Sequence, residues 1–270
     1  MISANHANAS LVVVGAGIKC ISHLTTEAET YVKQSNKVLY LVNNSAMKDW
    51  IQKVNSATES LDEIYFRYPF RAQAYQAITD YILNILRMQQ QHVCVVLYGH
   101  PTVFAKPALD AVKQAKAEGY DARILPGISA EDCLFSDLLI DPGSDGCQSF
   151  DATDFLLRRK QFDVNCHLIL WQVGVIGALG HYMTHDNAKG VMLLHQYLNQ
   201  YYDAEHKVII YEAACYPHCE PVIKEISLAL LPHAIFSPIS TLYIPPTKTI
   251  PLDHQMLQLL NINANDLFIA

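Results

Sequence analysis

The sequence lacks the composition of a nucleic-acid-binding protein. Acidic residues outnumber basic ones by 26 to 19, which gives a net charge of −7, whereas a nucleic-acid surface normally needs a basic excess. The basic cluster at residues 158–160 is better explained as a solvated helix end than as a phosphate site. We therefore expect no nucleic-acid partner.

Long hydrophobic runs and targeting signals are also missing. The longest apolar stretch, residues 168–179, contains Gln172 and two glycines and is too short to cross a bilayer. Residues 1–6 show no basic segment followed by an apolar core, which a secretory signal would need. With 51% apolar and 17% charged residues, the chain is expected to be a soluble cytoplasmic globular protein with no membrane partner.

The cysteines do not form the pattern of a disulfide framework. There are seven of them, an odd number, and they are scattered along the chain. Cys215, His218 and Cys219 are potential metal ligands, but no second cluster at zinc-like spacing completes them. We expect free thiols and no metal site.

Short β-branched runs alternate with helical patterns, as in a sheet built from βαβ units. Apolar residues at helical spacing predict a helix over residues 71–86. A second helix is predicted from Pro107 to Gly119, and a third follows Ser129, with Asp132 in the capping-box position. The predicted strands lie at residues 11–14, 37–42, 93–97, 123–125, 167–173, 208–213 and 241–244.

The distribution of these elements predicts two α/β lobes. The strand-rich first half ends near Gly127, and a loop rich in Asp, Pro and Gly follows at residues 141–146. We place the lobes at residues 1–128 and 129–248, followed by a tail at 249–270 with at most one short helix near residues 255–260.

A glycine pair follows the first predicted strand, at Gly15 and Gly17. Cys20 occupies the position of the third glycine of a dinucleotide-binding loop, and no acidic residue ends the second strand, which runs into Asn43. The pair is therefore better explained by a tight turn than by NAD binding.

The segment Tyr98-Gly99-His100-Pro101-Thr102-Val103-Phe104 joins a buried strand to a helix. A strand that ends in Gly and Pro leaves backbone amides and carbonyls exposed at the carboxyl edge of the sheet, where open α/β sheets bind ligands. An ordinary strand–helix turn explains the same residues equally well.

Tyr65, Arg71 and Tyr75 form a second constellation. Arg71 and Tyr75 are neighbours on one face of a predicted helix, and Tyr65 is expected in the loop that leads into it. An arginine between two phenols can stabilise a carbonyl oxygen as it becomes negative, and a phenol with a lowered pKa could take a proton. From these residues alone, a surface arginine beside two partly buried tyrosines is the simpler interpretation.

Together these segments resemble the tetrapyrrole-methylase superfamily of S-adenosylmethionine-dependent methyltransferases, and within it the borosin peptide-backbone α-N-methyltransferases. The resemblance rests on GAG at 15–17, the Tyr65/Arg71/Tyr75 trio, YGHPTVF at 98–104, the run at 115–143, QSF at 148–150, LWQVG at 170–174, YEAA at 211–214 and PISTLYIPP at 238–246.

This resemblance implies a two-lobed fold with the cofactor cleft between the lobes and an intertwined homodimer. It implies S-adenosylmethionine as cofactor, leaving S-adenosylhomocysteine as product. It also implies that the cofactor is bound by Tyr98, His100, Val103, Phe104, Ser129, Ala130, Gln172, Tyr211, Ala213, Ser240 and Thr241.

The resemblance also implies that the trio surrounds the target amide. Arg71 would then stabilise charge, while Tyr65 and Tyr75 would contact the oxyanion and remove the proton, in an order that stays open. His100 stands where general tetrapyrrole methylases carry an acidic residue, and the N-terminal glycine loop is poorer, which favours the borosin subgroup.

Fused fungal members of the subgroup carry their substrate as a C-terminal extension. Here Thr247 to Ala270 follow the last motif, so we expect a split system that methylates a separate ribosomal precursor peptide. Two alternatives remain: a methyltransferase of a small molecule such as a tetrapyrrole precursor, and a non-catalytic protein that binds S-adenosylmethionine.

Overall fold

The computed structural model describes residues 9–89, 91–180 and 186–267, and these divide into two compact units. The first unit takes in residues up to Asp137 and the short segments at 179–180 and 213–221. The second unit takes in the remaining described residues. Residues 1–6, on which the expected absence of a secretory signal depends, lie outside the described ranges.

The first unit is built on a parallel sheet. Its strands are β1 (Ser10–Gly15), β2 (Lys37–Leu41), β3 (Thr58–Ser60), β4 (His92–Leu97) and β5 (Asp121–Ile124), in the spatial order β3-β2-β4-β1-β5. Its helices are α1 (Thr26–Gln34), α2 (Ser45–Val54), α3 (Asp62–Arg67), α4 (Arg71–Gln89), α5 (Lys106–Ala117) and α6 (Ala130–Leu138), the last of which ends one residue beyond the unit.

Alternating side chains of the strands cover both faces of this sheet with apolar surface. Leu11 and Val13 of β1 lie in one buried cluster with residues of α4 and α5, and Val12 and Val14 lie in another with residues of α1 and α2. Because helices cover both faces, the central strands β1, β2 and β4 are apolar almost throughout and are easily recognised in the sequence.

The second unit has a mixed sheet. Its strands are β6 (Cys147–Asp151), β7 (His167–Trp171), β8 (Lys207–Glu212), β9 (Val222–Ser227) and β10 (Thr241–Ile244), in the order β6-β7-β10-β8-β9, with only β6 and β7 parallel. Its helices are α7 (Pro142–Asp145), α8 (Ala152–Arg158), α9 (Ala188–Leu198) and α10 (His254–Leu259), with 3-10 turns at Val173–Val175, Leu228–His233 and Ala264–Asp266.

The structure confirms the α/β class and all seven predicted strands, with ends that shift by one or two residues. The sequence patterns missed β3, β6 and β9, because β3 and β6 are only half-buried and β9 is mostly exposed, so none carries a continuous apolar run. No helix in the described ranges is long and apolar enough to cross a membrane.

The helix signals were also informative. Pro107 lies in the first turn of α5, and Gly119, with φ +90°, follows its end. Helix α4 begins at Arg71, the first residue of the predicted helix, and α10 begins one residue before the short helix predicted in the tail.

Candidate active site

Three glycines meet at the carboxyl edge of the first unit's sheet. They are Gly15 at the end of β1, Gly99 after β4 and Gly127 after β5. A Cβ atom on Gly15 would lie 2.8 Å from Cδ of Pro101 and closer still to the carbonyl oxygen of Gly99, and one on Gly127 would lie 3.1 Å from that same oxygen. The backbones of three strand ends are therefore in direct contact, which side chains at these positions would prevent.

Gly17 and Gly99 pair as an isolated antiparallel bridge. The Gly17 N–H donates to the Gly99 carbonyl at 3.3 Å, and the Gly99 N–H donates back to the Gly17 carbonyl at 3.0 Å. Both residues have φ near +70°, a region that favours glycine. The structure confirms the predicted turn at Gly17, whereas Gly15 is needed for close approach of the β4 loop.

Tyr98 lies at the base of the loop that follows β4. Burial, together with the nearby Cys215 thiol, raises the pKa of Tyr98 to about 12, against a lowering contribution from its hydrogen bond with Asn43. Its phenol is thus protonated at neutral pH. Asn43 and Cys215 were not among the predicted site residues; the only signal for Asn43 was its place directly after a predicted strand.

His100 closes the turn that it belongs to. Its Nδ1 accepts from the backbone N–H of Thr102 at 3.2 Å and lies 2.9 Å from the Thr102 hydroxyl. Val103 and Phe104 follow with 39% and 44% of their surface exposed, and Phe104 has φ +53°. An aromatic residue rarely adopts that conformation, and such strain is concentrated at functional sites.

Ser129 and Asp132 form the predicted capping box at the start of α6. The Asp132 N–H donates to Ser129 Oγ at 3.2 Å, and both the N–H and the hydroxyl of Ser129 donate to Asp132 Oδ2 at 2.7 Å. The polar groups of Ser129 are therefore used within the cap, and Ala130 begins the helix.

The trio lies together in the first unit. Tyr65 belongs to α3 rather than to a loop as predicted, since its segment forms a short helix with Asp62 and Glu63 in the first turn. The rings of Tyr65 and Tyr75 stack with centroids 6.3 Å apart and planes 23° apart. Arg71 begins α4, where its N–H donates to the Leu179 carbonyl at 3.1 Å.

The two phenols have different electrostatic surroundings. Burial, helped by Tyr75, raises the pKa of Tyr65 to about 12 although Arg71 opposes the rise. Burial also raises the pKa of Tyr75, but here both Arg71 and a hydrogen bond from Tyr65 act in the lowering direction. Arg71 has the expected influence, yet burial outweighs it, so the expectation of a phenol with a lowered pKa is wrong for this state of the protein.

The other predicted cofactor residues, apart from Ala213, lie in the second unit at one edge of its sheet. Because β10 runs antiparallel to β7 and β8, its start meets their ends, and Thr241 pairs with Tyr211. Gln172 follows β7 with φ +60°. The side chain of Tyr211 is fully buried, and Tyr211 pairs with Thr241 of β10 on one side and with Ile223 of β9 on the other.

Ser240 at this edge is fully buried and held from two sides. Its hydroxyl donates to Glu212 Oε1 at 2.5 Å and accepts from the Ser237 N–H at 2.8 Å. Glu212 was not among the predicted site residues, although it stands inside the quoted YEAA motif. Ser240 thus links the turn before β10 to the end of β8 through its hydrogen bonds with Ser237 and Glu212.

Ala213 belongs to the segment that packs with the first unit. Two residues later, the Cys215 carbonyl accepts from the Cys20 N–H at 2.9 Å, which ties this segment to the loop after β1. All seven cysteines are free thiols. Across the described ranges no three His, Cys, Asp or Glu side chains are grouped so that they could hold a metal ion.

The first unit's edge has the chemistry that S-adenosylmethionine needs. The strand ends bring backbone donors and acceptors together, while the half-exposed Val103 and Phe104 offer apolar surface. An aromatic face also attracts a sulfonium cation. These residues fit the cofactor.

Comparisons with known proteins agree with this fold. The sequence matches the family model described as tetrapyrrole (corrin/porphyrin) methylases over residues 10–228. Among solved structures, uroporphyrin-III-C-methyltransferase from Thermus thermophilus has a TM-score of 0.63 at 16% identity, with 92% of this chain and 99% of that chain covered. Diphthine synthase has a TM-score of 0.61 at 14% identity, with 89% and 91% covered. At these identities the likeness shows the fold alone.

Curated relatives are more similar in sequence. The methyltransferase/ribosomally synthesized cyclic peptide dendrothelin A precursor of Dendrothele bispora is 38% identical over 93% of this chain and 61% of its own length. The corresponding omphalotin A precursor of Omphalotus olearius is 39% identical over 88% of this chain and 58% of its own length. A type III borosin cyclic peptide precursor of Anomoporia bombycina is 36% identical over 91% and 29%. The chain thus spans about three fifths of the first two relatives.

Proposed function

Because the chain belongs to the family of tetrapyrrole (corrin/porphyrin) methylases, we propose that it transfers a methyl group to backbone nitrogens of a peptide. The observation that carries this proposal is the cluster of Arg71, Tyr65 and Tyr75, which a methyltransferase acting on an already nucleophilic atom would not need. The names of its relatives, which join a methyltransferase to a cyclic peptide precursor, support a peptide substrate.

A peptide nitrogen is a poor nucleophile because its lone pair is delocalised into the carbonyl group. It must lose its proton and become imidate-like, with negative charge on oxygen. Arg71 carries a permanent positive charge and several donors, so we assign it to that oxygen. Tyr65, with a pKa of about 12, keeps its proton and acts as a hydrogen-bond donor to Tyr75.

We assign proton removal to Tyr75. The Tyr65 hydroxyl donates to it, and Arg71 lies close by; both interactions lower the pKa of Tyr75 against the effect of burial. Tyr75 is therefore the phenol of the pair whose ionised form is better stabilised by its neighbours. Proximity and electrostatic preorganisation then supply most of the catalysis.

We propose S-adenosylmethionine as the cofactor, with S-adenosylhomocysteine as the product. When bound, the cofactor supplies an electrophilic methyl group on a sulfonium sulfur. Tyr98, Val103 and Phe104 would hold it at the first unit's sheet edge. The contacts of Gln172, Tyr211, Ser240 and Thr241, and the homodimer, remain predictions from the resemblance.

We also propose that the peptide is a separate molecule, and the first experiment tests both points. The purified chain is mixed with S-adenosylmethionine and a short peptide encoded beside its gene, and intact masses of both chains are recorded. Methyl additions to the peptide, placed on backbone nitrogens by fragmentation, support the proposal. Methyl additions to the chain itself would contradict the separate peptide and would indicate a substrate fused to the enzyme. Methylation of a tetrapyrrole without any peptide reaction would overturn the substrate class.

A further inference from the structure

His23 closes the loop that follows β1. Its Nδ1 accepts from the backbone N–H groups of Ile18 at 3.3 Å and Lys19 at 3.1 Å, and its own N–H donates to the Lys19 carbonyl at 3.2 Å. The side chain also packs directly on Gly17, where an added Cβ would clash with Cβ of His23. His23 therefore holds the turn through both its backbone N–H and its imidazole ring.

This turn is joined to the β4 loop. Gly17 makes both hydrogen bonds of the bridge to Gly99, and Gly99 stands next to Tyr98 and His100 in the candidate cofactor loop. A change in the position of the turn at residues 17–19 must therefore move the backbone of Gly99 or break the bridge. His23 itself lies outside the predicted site residues.

We propose that neutral His23 is a positioning residue that holds the Gly17–Gly99 bridge in the geometry for cofactor binding, and that its protonation weakens that binding. This inference rests on the proposed function, because the ligand concerned is S-adenosylmethionine or its product.

The chemistry follows from the two backbone donors. Nδ1 accepts hydrogen bonds only while it carries no proton, so the ring proton must be on Nε2. Protonation would place a third N–H against the N–H groups of Ile18 and Lys19. Both backbone donors would lose their partner, and the turn would lose the groups that close it.

Charged groups face the ring from two elements. Lys19 lies in the same loop, while Asp132 and Asp137 lie on α6. Burial and then Lys19 lower the pKa of His23 below its usual value, and the two carboxylates act in the opposite direction. The neutral ring therefore prevails at neutral pH, and protonation occurs on the acid side of the ordinary histidine range.

The test is calorimetric titration of S-adenosylhomocysteine between about pH 5 and pH 8. His23→Asn keeps an acceptor oxygen near the position of Nδ1 but cannot be protonated there, so we expect near-native affinity at neutral pH and no weakening in acid. His23→Ala removes the acceptor, and we expect an affinity about tenfold below that of the native protein at neutral pH, with no further weakening in acid. His254→Asn, which changes an exposed residue of α10, is the control and keeps the native profile.

Native affinity in His23→Ala, or acid weakening that persists in His23→Asn, would overturn the proposal. Amide hydrogen exchange of Ile18 and Lys19 gives a readout without cofactor, and we expect their protection, relative to the intrinsic exchange rate at each pH, to fall in acid only when His23 is present. If the native protein binds no S-adenosylhomocysteine, the cofactor assignment fails, while the exchange data still decide whether the ring holds the turn. If His23→Ala does not fold, the Asn variant and the pH profile suffice.

Discussion

The carbonyl oxygen of Gly99 lies against the α-carbon of Gly15, with no room for a methyl group between them. This contact joins the ends of β1 and β4 by backbone alone. The two strands are neighbours in the sheet, so their last residues are brought together by the register Gly15–Leu97. The sheet edge proposed to bind the cofactor thus depends on the absence of a side chain.

Gly15→Ala should destabilise the first unit by about 3 kcal/mol, since the clash is with backbone atoms that cannot rotate away. Gly99→Ala is the matched control. Its Cβ would meet nothing closer than Ile18 Cδ1 at 3.5 Å, and only its positive φ is unfavourable, at a cost of about 1 kcal/mol. Urea unfolding measures both values. Equal losses for the two variants would contradict the close-approach explanation.

Arg71→Ala should lower kcat for peptide methylation by about 100-fold or more, because the developing imidate oxygen loses its main positive partner. Affinity for S-adenosylhomocysteine should stay within about twofold, since the predicted cofactor contacts of the first unit lie on other segments. Single-turnover kinetics and calorimetry separate the two effects. If activity and cofactor binding disappear together, Arg71 has a structural role instead.

The two tyrosines should respond differently to replacement by phenylalanine. Tyr75→Phe removes the proposed base, so the rate should fall sharply and lose its rise toward alkaline pH. Tyr65→Phe removes only a donor, so we expect a loss of about tenfold, and the rise toward alkaline pH should remain but move to higher pH because Tyr75 loses the hydrogen bond that lowers its pKa. The measurement is kcat/KM against pH for each variant. The reverse pattern would exchange the two roles.

His167 should make the stability of the second unit depend on pH. It is buried, its Nδ1 lies 2.7 Å from the Tyr243 hydroxyl, and burial lowers its pKa although Asp145 opposes this. A lowered pKa means that the unfolded chain binds the proton more tightly. The contribution of His167 to the free energy of unfolding is thus complete above about pH 6.5, the pKa of histidine in the unfolded chain. This contribution is lost as the pH falls through the lower pKa that His167 has in the folded protein.

Unfolding free energies measured between about pH 5 and pH 7.5 check this prediction. His167→Gln should flatten the pH dependence, whereas the exposed His254→Gln should leave it unchanged. If the unfolding free energy of His167→Gln still depends on pH as strongly as that of the native protein, the dependence belongs to another group.

The sequence predicted the parts of the fold that have local signals. Strands such as β1 and β4 are apolar on both faces because helices cover both, and such runs are visible without a structure. β3 and β9 are held by pairing with β2 and β8, and their own residues are largely polar or exposed. Their strand conformation comes from the neighbouring strand, which no local pattern contains.

The same distinction applies to the candidate site. Arg71 and Tyr75 could be paired from their helical spacing, but the stacking of Tyr65 on Tyr75 depends on how α3 packs on α4. The spacing of glycines predicted a turn, while the need for Gly15 comes from a loop more than 80 residues away. Burial, which raises both tyrosine pKa values, is also a tertiary property.

The place of β1 in the sheet has a consequence for synthesis of the protein. β1 is an interior strand, yet its partners come late in the chain, since Ser10 pairs with His92, 82 residues further on. At translation rates of about 5–20 residues per second, a nascent chain carries this apolar strand unpaired for roughly 4 to 16 seconds. Contacts so distant also slow folding after release. The yield of folded protein in a cell therefore depends on how well residues 11–14 are shielded by chaperones while β4 is still being made.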